Sequence, residues 1–261
     1  MNVTKVQQIR SWLSRGLKGC LFVVLAQVVA LAADEHAHNH STPSQQAEKT
    51  EKAEITGDPY TLAECVVSGQ KLGAMGEPVI HNYKGREIRF CSKEHIKVFE
   101  KEPEKYIEKI DAAMIKDQLP FYPLETCVVT GNKLDGSMGE PVNVIDHNRL
   151  LRFCCNMCVA EFEKKREEFL SKLDAAVVAK QKDHYSLKRC VVSGDALGGS
   201  MGAIVDVVVA NRLVRLCCPD CKTALSQDPL QFLSKIDQAA TSSEGKNTFQ
   251  PKPHKRGGHT N

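Results

Sequence analysis

One pentapeptide recurs three times at nearly constant spacing. CVVSG begins at Cys65, CVVTG at Cys127 and CVVSG at Cys190, 62 and then 63 residues apart. A fixed period of this size means repeated small units rather than one large domain. Units of about 60 residues bury little apolar surface, and such units often rely on a metal or on disulfides. The 261-residue chain therefore reads as three copies of one module, at residues 59–117, 121–180 and 184–240.

The copies align closely. Tyr60, Tyr122 and Tyr185 open them, and the pentapeptide ends on Gly69, Gly131 and Gly194. Met75-Gly76, Met138-Gly139 and Met201-Gly202 follow, and then Val79, Val142 and Val205 start an extended run. That run is broken by turn residues at Tyr83-Lys84-Gly85, Asp146-His147-Asn148 and Ala210-Asn211, which predicts a β-hairpin ending at a cysteine. Apolar residues then recur at helical spacing: Phe99, Phe162 and Leu225, next Tyr106, Phe169 and Phe232, next Ile110, Leu173 and Ile236. This stripe is read as core. Pro103 and Pro229 each predict the start of a second helix, whereas repeat two lacks the proline and its helix is expected to run through. The expected fold class is α+β: three tandem units of knuckle, β-hairpin and helix.

Two candidate ligands lie four residues apart after each hairpin: Cys91 and His95, Cys154 and Cys158, Cys217 and Cys221. Positions i and i+4 share a helix face, and the start of a helix favours thiolates. The pentapeptide cysteine, carried back across the hairpin, supplies a third group. The candidate metal ligands are therefore Cys65/Cys91/His95, Cys127/Cys154/Cys158 and Cys190/Cys217/Cys221. Thiolates favour Zn²⁺ or Cu⁺ over Mg²⁺ or Ca²⁺, and three protein ligands leave a position open for exchange.

The pentapeptide resembles a C-x-x-C-G metal knuckle whose second cysteine is replaced by Ser68, Thr130 or Ser193. These hydroxyls are read as holding the turn through backbone N–H groups. The recurrent Met75, Met138 and Met201 are read as packing within their loops, with thioether binding of Cu⁺ as the alternative.

The knuckle, the C-x₂₅₋₂₆-C-x₃-[C/H] spacing and the late aromatic together resemble the TRASH and YHS domains. These are treble-clef-like modules related to MYM/FCS-type zinc fingers, and repeat one carries the string Phe90-Cys91-Ser92. The resemblance covers the three repeats and implies binding or sensing of heavy-metal ions at the nine residues above. It also implies a partner such as a metal transporter or another envelope protein. The family's C-x-x-C is here C-x-x-[S/T], which fits the three-cysteine TRASH branch better than the YHS branch.

A disulfide reading competes. Repeats two and three carry further cysteines, Cys155 and Cys218, which create C-x-x-C with Cys158 and Cys221. These pairs could be bridged, as could Cys65–Cys91 and its counterparts, whose closed hairpin loops would contribute about 3–4 kcal/mol each. Repeat one would then have lost both partners of the C-x-x-C bridge together, with Ser92 and His95 in their places. The histidine argues for metal, because a disulfide has no use for it. Thiol–disulfide redox activity is weakly supported, as no βαβ pattern surrounds the C-x-x-C.

Compartment bears on this choice. Residues 1–32 read as a cleaved signal peptide, with Lys5, Arg10, Arg15 and Lys18 before an apolar run and Ala30-Leu31-Ala32 at its end. Secreted or periplasmic localisation follows, and an oxidising setting favours disulfides. Removing the leader's four basic residues from the 35 Lys and Arg leaves 31 against 32 Asp and Glu. No basic excess then argues for nucleic acid, and no stable membrane insertion is expected once the leader is gone. Residues 33–58 read as a disordered linker bearing His36, His38 and His40, and residues 241–261 as a disordered tail. No candidate general base recurs among the copies, so a non-enzymatic role is expected.

Overall fold

The computed structural model describes residues 54–242 apart from Met138. The expected signal peptide, His36, His38 and His40, and the tail from residue 243 lie outside the described residues.

The chain is α+β, and each repeat is a hairpin followed by two helices. In repeat one these are β1 (Val79–Tyr83), β2 (Arg86–Phe90), α1 (Lys93–Phe99) and α2 (Pro103–Gln118). Repeat two has β3 (Val142–Asp146), β4 (Arg149–Phe153), α3 (Asn156–Lys164) and α4 (Arg166–Gln181). Repeat three has β5 (Val205–Val209), β6 (Arg212–Leu216), α5 (Cys221–Gln227) and α6 (Pro229–Ser242). Among the described residues no helix is long and apolar enough to cross a membrane.

The hairpins share one register. Val79 pairs with Phe90, Val142 with Phe153 and Val205 with Leu216, and two residues close each turn. Both turn residues have positive φ: Lys84 and Gly85, His147 and Asn148, Ala210 and Asn211. That backbone matches the twist of tightly connected antiparallel strands.

Each repeat keeps its own apolar core. Ile88, Phe90, Phe99, Tyr106, Ile110 and Met114 surround Cys65 in the first. Leu151, Phe153, Phe162, Phe169 and Leu173 occupy the second, and Val214, Leu216, Leu225, Phe232 and Leu233 the third. The helical stripe predicted as core is core, with Ile236 at its margin. The methionines do not follow expectation: Met75 is 75% and Met201 53% exposed, so neither packs within its loop.

The helix expected to run through repeat two is broken. Lys165 leaves the helical region at φ −132° and ψ 41°, close to Glu102 (−139°, 57°) and Asp228 (−134°, 68°) before the prolines. Packing sets this break. Phe162 and Phe169 must both reach one core, as Phe99 and Tyr106 do, with ring centroids 6.5 and 6.1 Å apart. Proline stabilises the bend where present but does not cause it.

The repeats are joined through buried polar groups. The second strands are covered on both faces, and every residue of β2 is buried. Gln118, at the end of α2, donates to the Asn148 carbonyl (2.8 Å) and accepts from Leu150 N–H (2.8 Å) and Asn211 Nδ2 (3.2 Å). Gln181, at the end of α4, repeats the bonds with the Asn211 carbonyl and Leu213 N–H, both 2.8 Å. Asn148 also accepts from Arg86 Nε at 2.7 Å. Repeat one reaches repeat three as well. Arg89 donates to the Ser226 and Gln227 carbonyls at the end of α5, each at 2.8 Å.

The last residues assigned to the disordered linker belong to this joint. Asp58 accepts from Arg149 (2.6 and 2.9 Å) and from Ala210 N–H (2.6 Å), and Thr56 N–H donates to the Gly85 carbonyl at 2.8 Å. Gly57 lies at φ +83°, and a Cβ there would fall 2.4 Å from His147 Cβ. Only glycine passes this turn without displacing the chain. A single ordered carboxylate thus ties the N-terminal segment to repeats two and three.

Candidate metal centres

Each knuckle is built by the same three bonds. Cys65 N–H donates to the Gln70 carbonyl and Gly69 N–H to the Cys65 carbonyl, at 2.8 and 2.7 Å. Cys127 and Cys190 repeat both bonds with Asn132 and Gly131, and with Asp195 and Gly194. Gly69, Gly131 and Gly194 close the turn at φ +71°, +74° and +82°. The hydroxyl holds it from the side chain, since Gln70, Asn132 and Asp195 N–H donate to Ser68, Thr130 and Ser193 oxygens at 3.2–3.4 Å. The same hydroxyl does something the sequence reading missed. It touches the second candidate ligand: Cys91 at 3.3 Å, Cys154 at 3.5 Å and Cys217 at 3.2 Å.

The hairpin's second strand delivers Cys91, Cys154 or Cys217 beside the knuckle, and the first turn of the following helix delivers His95, Cys158 or Cys221. All nine predicted residues come together as predicted. In each of the three sets the ligand atoms lie within 4.8 Å of one another. His95 Nδ1 is 3.1 Å from Cys91 Sγ and 3.6 Å from Cys65 Sγ. Cys154 and Cys158 sulfurs are 3.6 Å apart. Cys221 Sγ is 3.8 Å from both Cys190 and Cys217. Zn–S bonds of about 2.3 Å around one ion place sulfurs roughly 3.8 Å apart, whereas a disulfide needs about 2.05 Å. The ten described cysteines are free thiols, with these spacings on the metal side of that divide.

The environment favours a thiolate at the knuckle. Burial opposes the Cys190 thiolate, but N–H groups of Ser193, Cys217 and Val192 and the Ser193 hydroxyl outweigh it, bringing the thiol down to about 6. At Cys65 burial is likewise outweighed, by N–H groups of Cys91, Ser68 and Val67 and the Ser68 hydroxyl, and the thiol falls to about 7. The Thr130 hydroxyl lowers Cys154. Burial and the surrounding thiols push Cys158 and Cys221 strongly up, so these hold their protons. Thiols ionise in sequence around such a cluster, because a second negative charge beside the first is costly.

The extra cysteines flank the sets rather than standing apart. Cys155 Sγ lies 3.6 Å from Cys158, and Cys218 Sγ lies 3.7 Å from Cys221 and 3.9 Å from Cys217. Repeat one has Ser92 at this position. Three clusters of soft donors, each able to hold a metal ion, are the chemistry this arrangement offers. No protein family, curated protein or solved structure matches the chain.

Proposed function

We propose that this is an exported, non-enzymatic protein that binds heavy-metal ions, zinc or copper, through one Cys₃ or Cys₂His site in each of three treble-clef-like, TRASH/YHS-type modules. Its role is buffering, delivery or resistance, with a metal transporter or another envelope protein as the exchange partner. One observation carries this reading: three soft donors converge within 4.8 Å of one another three times in one chain, at aligned positions. Histidine in place of one cysteine preserves ligand capacity and destroys disulfide capacity, which supports metal over bridging.

The test is a count. The protein is purified anaerobically from its native compartment, and bound metal and denatured thiols are both quantified. About three metals per chain, with thiols recovered on chelation, is the expected result. Absence of metal together with absence of free thiol would sink the reading in favour of disulfide-stapled interaction modules.

A further inference from the structure

Repeats two and three hold four thiols each, and their arrangement is not that of a four-ligand site. A tetrahedral tetrathiolate requires all six sulfur–sulfur distances near roughly 3.8 Å. In repeat three Cys190, Cys217 and Cys221 form one set with sulfurs mutually within 4.8 Å, and Cys218 is not a member of it. Yet Cys218 forms its own triangle with Cys217 and Cys221, with edges of 3.7, 3.8 and 3.9 Å. The four sulfurs are two triangles sharing the Cys217–Cys221 edge. In repeat two Cys158 likewise lies 3.6 Å from both Cys154 and Cys155.

A triangle with edges near 3.8 Å suits trigonal coordination by thiolates at about 2.2–2.3 Å, a geometry open to Cu⁺, while Zn²⁺ takes four donors. We propose that repeats two and three each hold two Cu⁺ ions in a thiolate-bridged pair. Cys217 and Cys221 bridge in repeat three, and Cys190 and Cys218 each complete one ion's coordination. Cys154 and Cys158 bridge in repeat two, with Cys127 and Cys155 terminal. Four thiols give up four protons, copper enters and stays as Cu⁺, and the Cu₂S₄ unit carries a net charge of −2. Backbone N–H groups already face both terminal sulfurs of repeat three, those of Ser193, Cys217 and Val192 toward Cys190 and that of Cys221 toward Cys218.

Repeat one explains itself on the same basis. Its two departures, Ser92 for the flanking thiol and His95 for one of the two bridging thiols, remove the second ion's terminal ligand and one of its bridges. An imidazole nitrogen has one lone pair and cannot bridge, and a neutral alcohol is a poor ligand for a soft ion. With one ion the bridge is unnecessary and histidine suffices. Repeat one is therefore a one-ion site in a chain otherwise built for pairs.

This inference rests on the reading of the triads as soft-metal sites, and the experiment separates the two. The reduced full chain is titrated anaerobically with Cu⁺ against a chromophoric competitor, and in parallel with Zn²⁺, alongside the Cys155→Ser/Cys218→Ser variant. Wild type is expected to bind about two more Cu⁺ than the variant, with cluster luminescence and copper–copper scattering in X-ray absorption that the variant lacks. Zn²⁺ capacity is expected to stay at about three in both. Equal Cu⁺ capacity in the two proteins overturns the paired-ion proposal while leaving the triads intact. Failure of wild type to bind either metal overturns the triads as well.

Discussion

Repeat one and repeat three share a backbone and differ in the donors they bring to the candidate metal site. Both knuckles make the same turn bonds, and both hairpins end at a cysteine touched by a hydroxyl. At the central position one offers His95 and the other Cys221; on the flank one offers Ser92 and the other Cys218. The scaffold is therefore indifferent to ligand chemistry, because the turn and the strand place the positions and the side chains only fill them. The difference continues away from the metal. Leu150 and Leu213 of the later repeats correspond to Glu87, which pairs with Arg89 at 2.6 Å and accepts from Tyr60 N–H at 3.1 Å. Repeat one is the divergent copy at its site and at its seam, and the two can be tested separately.

The central ligand should give the largest effect. Cys158→Ser or Cys221→Ser removes the group nearest all other thiols of its repeat. Metal affinity at that repeat is expected to fall by roughly 3–4 kcal/mol, a factor of about 10²–10³, in chelator-competition titrations, with the other repeats unchanged. His95→Cys sharpens the comparison. A thiol must lose a proton to bind where a neutral imidazole need not, so this variant is expected to keep its metal while releasing about one more proton on binding. Loss of metal from all three repeats in Cys221→Ser would break the idea that the sites are separately built.

The seam comes next. Arg89→Met strands the buried Glu87 carboxylate and two carbonyls at the end of α5, and a broken buried pair costs roughly 3–5 kcal/mol. The side chain of the aligned Arg152 donates to Asn143 at 3.0 Å within its own hairpin and stacks on Tyr122, so Arg152→Met should cost about 1 kcal/mol or less. Denaturant unfolding of the metal-loaded chain measures both. Adding Glu87→Leu to Arg89→Met restores the apolar residue used by the later repeats and should recover much of the loss. If the double variant is no better than the single one, the stranded carboxylate is not the cause.

What the sequence revealed and what it concealed divide along this same line. The strand starts at Val79, Val142 and Val205, the core stripe and the convergence of nine candidate donors were readable, because each depends on local spacing repeated three times. The break at Lys165 was not readable, because it answers to where Phe162 and Phe169 must point rather than to any local breaker. The ordered Asp58 was assigned to a linker for a similar reason: its partners Arg149 and Ala210 lie about 90 and 150 residues away. The recurrence of Arg86, Arg149 and Arg212, and of Gln118 and Gln181, at the repeat period was a visible signal for the seams. That signal is ambiguous in sequence alone, because polar residues in a repeat read as solvated faces until the strands are known to be covered on both sides.

The two glutamine seams offer a smaller contrast. Gln118 is wholly buried and satisfies Leu150 N–H and the Asn148 carbonyl, whereas Gln181 makes the matching bonds while only half-buried. Stranded groups cost more where water cannot reach them. Gln118→Ala is expected to destabilise by roughly 2–4 kcal/mol and Gln181→Ala by about 1–2 kcal/mol, measured by the same unfolding titration. Equal losses would mean that the joint between repeats one and two is no tighter than the next.

The smallest effect lies in the metal-free thiols and has a definite sign. A thiol whose folded value is depressed supports folding above its unfolded value, and that support fades as pH falls through the folded one. Cys190 should therefore contribute in full only above the ordinary thiol range near 9 and lose its contribution by about 6, while Cys65 loses its by about 7. Both are cradled by three N–H groups and a serine hydroxyl, which outweigh the cost of burial. Ultraviolet thiolate absorbance of the chelated, reduced chain should show the two steps in that order, with Cys190→Ser deleting the lower and Cys65→Ser the upper. Steps that appear only in the ordinary thiol range would show that the knuckle N–H groups do not hold a thiolate before metal arrives. The divergence of repeat one would then begin and end with its ligands.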